Sequence, residues 1–147
     1  ERIAHEFGAE RVFALSSQAA EAINAEILRE TGGLGVDLAI EASGAPSAFA
    51  EGLDLLRNRG VYLVPGQYSS SGTVAIHPES ITFKALHIIG SSQYSFGDVR
   101  AYLAFLEAHP ELLGKILALA AQYKVEEINA AFSDMEKRRN IKTVLVP

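Results

Sequence analysis

The run Val36-Asp37-Leu38-Ala39-Ile40-Glu41-Ala42-Ser43-Gly44 is nearly continuous in apolar residues and finishes in small ones. Two later runs repeat the design: Val61-Tyr62-Leu63-Val64-Pro65-Gly66 and Leu86-His87-Ile88-Ile89-Gly90-Ser91-Ser92. Such runs suit strands buried on both faces, as in a parallel sheet covered by helices. The small residues at their ends matter because ligands of open α/β sheets lie just beyond the carboxyl ends of the strands. With little or no side chain there, the backbone itself can approach a flat ring. A plain tight turn uses the same residue types, so the weight falls on three such ends together.

Helical patterns separate the runs. Ile3 to Phe7 reads as the last turns of a helix stopped by Gly8, and Arg11 to Leu15 as a short strand. Ser16 or Ser17 can cap a helix reaching about Arg29, with Ala20, Ile23 and Ile27 on one face. Gly32 and Gly33 end it. Pro46 suits the first turn of the next helix, whose buried stripe is Phe49, Leu53 and Leu56, with Gly52 allowing close approach to the sheet. Arg57 and Arg59 suit the end of that helix and Gly60 closes it. Residues 67–73 read as a loop and Pro78 to Ala85 as a short helix. The alternation of strand and helix predicts a parallel α/β sheet.

From Ser95 the pattern changes. Ser95 and Asp98 are spaced as a capping box, ahead of an amphipathic helix carrying Val99, Tyr102, Leu103 and Leu106 that stops before Pro110. Residues 111–123 read equally as helix or strand. Val125 to about Arg138 is helical, with Ile128, Ala131, Phe132 and Met135 on one side, and Ile141 to Val146 is a β-type run.

Composition excludes several classes of function. The chain has 147 residues, about one domain, and a net charge of −5, a poor basis for gripping nucleic acid. Lys137-Arg138-Arg139 reads as helix-end charge. No apolar stretch approaches the roughly 18 residues that cross a bilayer. Absence of cysteine removes disulfides, thiolate chemistry and the commonest zinc ligands, and fits a reducing cytoplasm. The start, Glu1-Arg2-Ile3-Ala4, has neither a signal-peptide layout nor an initiator methionine, as expected of a processed or excised piece.

Motifs for catalysis are missing. Gly32-Gly33-Leu34-Gly35 follows a helix and precedes a strand, the reverse of a phosphate-cradling turn. His5, His77, His87 and His109 have no partner at metal-ligand spacing, and His87 reads as a core histidine. Serines 69–71 and 91–92 lack a nucleophile elbow. Glu41 ends a buried strand and reads as an orienting carboxylate. What remains is a surface of backbone and small side chains at three strand ends, Ala42-Ser43-Gly44, Pro65-Gly66-Gln67 and Ser91-Ser92-Gln93, able to bind a planar polar ring through amide groups but holding no reactive group.

The chain resembles the C-terminal part of the medium-chain dehydrogenase/reductase family, the zinc-type alcohol, polyol and threonine dehydrogenases. The resemblance rests on Glu6-Phe7-Gly8-Ala9, on Gly33-Leu34-Gly35-Val36-Asp37 running into Ile40-Glu41-Ala42-Ser43-Gly44, on Leu55-Leu56-Arg57 to Gly60, and on Gly66 and Gly90-Ser91. It continues through Val125-Glu126-Glu127-Ile128-Asn129-Ala130-Ala131-Phe132 to Ile141-Lys142-Thr143-Val144-Leu145-Val146-Pro147.

The resemblance implies a partial Rossmann-like parallel sheet lacking its first two strands. Residues 1–94 would belong to the dinucleotide-binding domain, and 95–147 would form an α/β tail returning toward a catalytic domain. It resolves 117–124 as a strand. It implies NAD or NADP as cofactor, with Ala42, Ser43 and Gly44 by the nicotinamide ribose, and Pro65, Gly66 and Gln67 flanking the ring. Ser91, Ser92 and Gln93 would face the carboxamide and Lys142 the pyrophosphate, where the family often has arginine. Zinc would be bound by the upstream part of a parent enzyme acting on alcohols or polyols, and not by this chain, which would be inactive alone. A homodimer would form through the strand at 86–90, whose bare edge would otherwise be a liability. The competing expectation is a truncated dimerising or scaffold module that binds no nucleotide.

Overall fold

The structure, a computed structural model, describes residues 1–14, 19–67 and 69–147. It divides into two compact units, Glu1–Gln93 and Tyr94–Pro147. The first contains α1 (Arg2–Glu6), α2 (Ala20–Glu30), β1 (Val36–Ile40), α3 (Pro46–Leu55), β2 (Leu56–Val64), α4 (Pro78–Lys84) and β3 (His87–Gly90). The strands form one sheet in the order β1-β2-β3, parallel throughout. The α/β class read from the alternating pattern is therefore the class of the fold.

The core of this unit is Leu53, Leu56 and Tyr62, with Val36, Ala39, Phe49, Val64, Ile76, Ile81 and Leu86 packed against it. Phe49 on α3 stacks on Tyr62 with ring centroids 5.3 Å apart. The Tyr62 hydroxyl reaches back under α3 and donates to the carbonyls of Ala48 and Phe49, each at 3.1 Å. Gly52 makes this possible: a Cβ there would lie 2.1 Å from the hydroxyl.

Several expectations change on folding. Arg11–Ala14 is not in a strand. Arg11 instead pairs with Glu26 and Glu30 on α2 and sits over the Phe13 ring. Leu15 and the Ser16 or Ser17 cap lie outside the described residues; α2 begins at Ala20, and its N-cap Ala19 has no side-chain bond. Gly32, Gly33 and Gly35 form the expected stop and turn, all at positive φ.

The helix after Pro46 ends at Leu55, not near Gly60. Leu56 already pairs with Val36, and Arg57–Gly60 bulge out before the ladder resumes at Leu38↔Val61. Arg57 pairs with Asp37 on β1. The cation at the carbonyl end of α3 is Lys84, whose ammonium donates to Leu53 O at 3.0 Å and Asp54 O at 2.9 Å. A helix end attracts a cation, and the one that reaches it is 30 residues away in sequence.

Burial on both faces of the strands is also not found. The register sets Ala39 beside Tyr62 on the core side and Leu38, Ile40 and Ile89 on the other. Those three are 50%, 60% and 50% exposed, and all of β3 is exposed. Continuity of apolar residues marks strands that could be covered twice; the fold buries one face.

The second unit contains α5 (Phe96–Ala108), α6 (Pro110–Leu117), β4 (Ala120–Lys124), a 3-10 turn at Val125–Glu127, α7 (Ile128–Glu136) and β5 (Lys142–Val146). Ser95 and Asp98 form both bonds of the capping box. The ambiguous stretch divides, helix to Leu117 and strand from Ala120, and β4 pairs with β5 in parallel. The Tyr123 hydroxyl donates to Asp134 at 2.8 Å, Asn140 donates to that hydroxyl at 2.9 Å, and Arg139 pairs with Asp134 at 2.8 Å. These bonds tie β4, α7 and the turn before β5 together. On α7 only Ala131 is buried, while Phe132 and Met135 are about half exposed. No helix among the described residues is long and apolar enough to cross a membrane.

Candidate functional site

The parallel ladder runs one residue past β1: Glu41 N–H donates to Leu63 O, and Gly66 N–H to Glu41 O, both at 2.9 Å. Strand alternation then puts the Glu41 side chain on the same face as Ala39, the core side. It is only 4% exposed. Its Oε1 accepts the Ser43 N–H at 2.7 Å, the Ser43 hydroxyl at 2.7 Å and the Gly44 N–H at 2.8 Å. Its Oε2 accepts Gln67 Nε2 at 3.1 Å, and the same nitrogen donates to Ala45 O at 3.1 Å. The Ser43 hydroxyl in turn accepts from Ala45 N–H at 3.1 Å.

These donors stabilise the anion. The Ser43 hydroxyl acts most strongly, burial opposes it, and the net effect holds Glu41 below the usual carboxylate range. Tyr62 moves the other way, to about 12, through burial first and then the charges of Glu41 and Glu51. Gly66 closes the knot. A Cβ there would lie 2.5 Å from Glu41 Oε2, 2.8 Å from Ala42 C and 2.8 Å from Gly44 N.

The structure thus brings Ala42, Ser43 and Gly44 against Gly66 and Gln67, with Pro65 between β2 and Gly66. Ser91 joins more loosely, its N–H donating to Val64 O at 3.4 Å. Ser92 and Gln93 are exposed, Gln93 at φ 66°. Lys142 opens β5 in the second unit and is exposed. A cavity of about 290 Å³ beside the knot is lined by Ala42, Ser43, Glu51 and Tyr62 among others.

One feature differs in kind from the sequence reading. The amides at the ends of β1 and β2 are not held open for a ring: those of Ser43 and Gly44 point to Glu41, that of Ala45 to Ser43 and that of Gly66 to Glu41 O. The peptide bonds of the described residues are trans, and a trans plane points its C=O opposite its N–H. The carbonyls of Ala42 and Ser43 are consequently turned away from the carboxylate, on two exposed residues. The turn presents acceptors, suited to ligand hydroxyl or amino groups.

The Glu41 carboxylate orients the turn rather than facing a ligand: both its oxygens are engaged. The orienting role read for it in the sequence matches its bonds. The close approach expected at Gly52 is found, against Tyr62; Gln67 as a brace and the bonding of the Tyr62 hydroxyl to α3 were not expected. A tyrosine inside an apolar strand, whose hydroxyl must find a partner when buried, was the available signal for that bonding.

Residues 1–108 match the family model described as zinc-binding dehydrogenase. The chain belongs to the zinc-binding dehydrogenase family. Sorbitol dehydrogenase of Halalkalibacterium halodurans is 29% identical over 117 residues, 80% of this chain and 33% of the relative. The 5-exo-hydroxycamphor dehydrogenase of Pseudomonas putida is 32% identical over 90 residues, 61% of this chain and 25% of the relative. An alcohol dehydrogenase crystal structure from Thermotoga maritima superposes with a TM-score of 0.87 at 27% identity, covering 99% of this chain and 40% of that one. This zinc-binding dehydrogenase chain spans a quarter to two-fifths of the length of these proteins. It corresponds to the C-terminal, Rossmann-like part. The chain has no cysteine, and among the described residues no group of three or more His, Asp and Glu is placed to hold a metal ion.

Proposed function

We propose that this chain supplies the nicotinamide-side cofactor surface of an NAD(P)-dependent oxidoreductase acting on alcohols or polyols, in the cytoplasm. The observation that carries the reading is the convergence of three small-residue strand ends on one edge of a parallel sheet, with Ala42 and Gly44 against Gly66 and Ser91 tied to Val64. Ligands of open α/β sheets lie at such an edge. The polar groups suit the cofactor: carbonyls of Ala42 and Ser43 to accept from ribose hydroxyls, small Pro65 and Gly66 with Gln67 beside a flat ring, and Ser91, Ser92 and Gln93 for the carboxamide. Lys142, described with the second unit, comes to the pyrophosphate from the family resemblance alone, as a point charge without the bidentate fork of arginine.

Nicotinamide, when bound, supplies hydride transfer. This chain's residues hold and orient the ring. The 147-residue chain alone is expected to be inactive toward alcohols, which an assay of the purified chain with NAD or NADP checks. The exposed edge of β3, with Ile88 and Ile89 at 37% and 50% exposure, supports pairing of two copies through residues 86–90.

Titrating NADH against the chain while following nicotinamide fluorescence tests the reading. Saturable binding is expected, with a Kd on the order of 0.1 mM. No binding up to about 5 mM would overturn it in favour of a scaffold module without nucleotide.

A further inference from the structure

We propose that Glu41 is a positioning residue, whose carboxylate braces the turn after β1 against the end of β2 and so fixes the acceptor-lined surface offered to the cofactor. The proposal deepens the cofactor reading and rests on it. Burying an ionised carboxylate is costly unless it is fully hydrogen-bonded, and an apolar side chain would fill the same space without that cost. Here the charge organises two loops. One oxygen gathers Ser43 N–H, Ser43 Oγ and Gly44 N–H, while the other takes Gln67 Nε2, which also grips Ala45 O. Each peptide plane anchored to Glu41 sends its carbonyl the other way. The direction of the Ala42 and Ser43 carbonyls is thus set by a side chain that itself lies beneath the turn.

Glu41→Gln separates bracing from packing, since it keeps the shape and removes the charge and one acceptor. If the glutamine oxygen faces Ser43 and Gly44, its NH2 meets the Gln67 NH2, donor against donor. Flipping Gln67 relieves that but sets its oxygen against Ala45 O. Neither arrangement keeps all the bonds.

The experiment titrates NADH into wild type, Glu41→Gln and Ser43→Ala, with thermal melting and amide hydrogen exchange of Ser43 and Gly44 on the same samples. Glu41→Gln is expected to melt cooperatively, to exchange these two amides faster and to bind NADH about tenfold more weakly. Unchanged NADH affinity in folded Glu41→Gln, with only a lower melting temperature, overturns the positioning role and leaves the cofactor reading standing. Wild type that binds no NADH overturns the cofactor reading and this role with it. Should Glu41→Gln fail to fold, Ser43→Ala decides: it loses the hydroxyl bonds to Glu41 and Ala45 and so loosens the turn that the carboxylate braces. Binding about threefold weaker supports the role, and unchanged binding overturns it.

Discussion

The ends of β2 and β3 look alike as text, Val64-Pro65-Gly66 and Ile89-Gly90-Ser91, yet they are held very differently. Gly66 is enclosed by Glu41, Ala42 and Gly44, and its N–H is bonded to Glu41 O. Gly90 has nothing within 4 Å of where a Cβ would stand, and the following residue is joined to β2 by one bond of 3.4 Å. The β1 and β2 ends form a braced surface around a buried charge; the β3 end is an open margin. A small residue at a strand end therefore has two physical meanings, room already filled by neighbouring backbone or room left empty.

The largest expected effect separates these meanings. Gly66→Ala forces a methyl against backbone on two sides, which cannot swing away as a flexible side chain can. A loss of about 3 kcal/mol or more is expected in urea denaturation. Gly90→Ala should fall within about 0.5 kcal/mol of wild type by the same measurement. Equal losses at the two glycines would abolish the contrast.

Tyr62→Phe comes next. It leaves the Ala48 and Phe49 carbonyls without their shared donor and should cost about 1–2 kcal/mol. A cost near zero would mean the lock beneath α3 contributes only shape.

Acid sharpens the comparison further. Glu41 binds its proton less readily in the folded chain than at the ordinary value of 4.5. Its contribution is complete above that value and drains away as pH falls through the lower folded-state value. Asp98 and Asp134, also held low by their hydrogen bonds, add to the same acid limb. Stability of Glu41→Gln against urea between pH 5 and pH 2 should consequently fall less steeply than that of wild type, while retaining the share due to those two. Parallel curves would show that Glu41 carries none of the acid sensitivity.

The smallest effect is at the open margin. Gln93 holds a left-handed φ of 66° that glycine adopts freely. Gln93→Gly should raise stability by less than about 1 kcal/mol, read as a small upward shift in melting temperature.

How far the sequence could be read follows from the range of each interaction. The Ser95–Asp98 capping box joins residues three apart, so its spacing was sufficient. The strands at 36–40 and 87–90 were visible as apolar runs between helical patterns, and so was Glu41 as an orienting group at a strand end. The end of α3 was not visible. Nothing in Arg57 or Arg59 tells that Lys84 takes the α3 carbonyls while Arg57 turns to Asp37. The strand expected from Arg11 is not found over Arg11–Ala14, where Arg11 instead pairs with Glu26 and Glu30 of α2, 15 and 19 residues away.

What the sequence by itself determined was most of the order of elements, apart from the segment at 11–15 and the division of 111–123, because strand and helix periodicities are local properties of neighbouring residues. It also determined the absence of thiolates and of a phosphate-cradling glycine turn, because these are matters of composition and order. Only the tertiary structure decided which small residues are crowded and which are free, and which way the peptide planes at the strand ends face. Those depend on groups far apart in the chain, Glu41 with Gln67 and Gly44 with Gly66, meeting within hydrogen-bonding or contact distance once β1 and β2 are aligned.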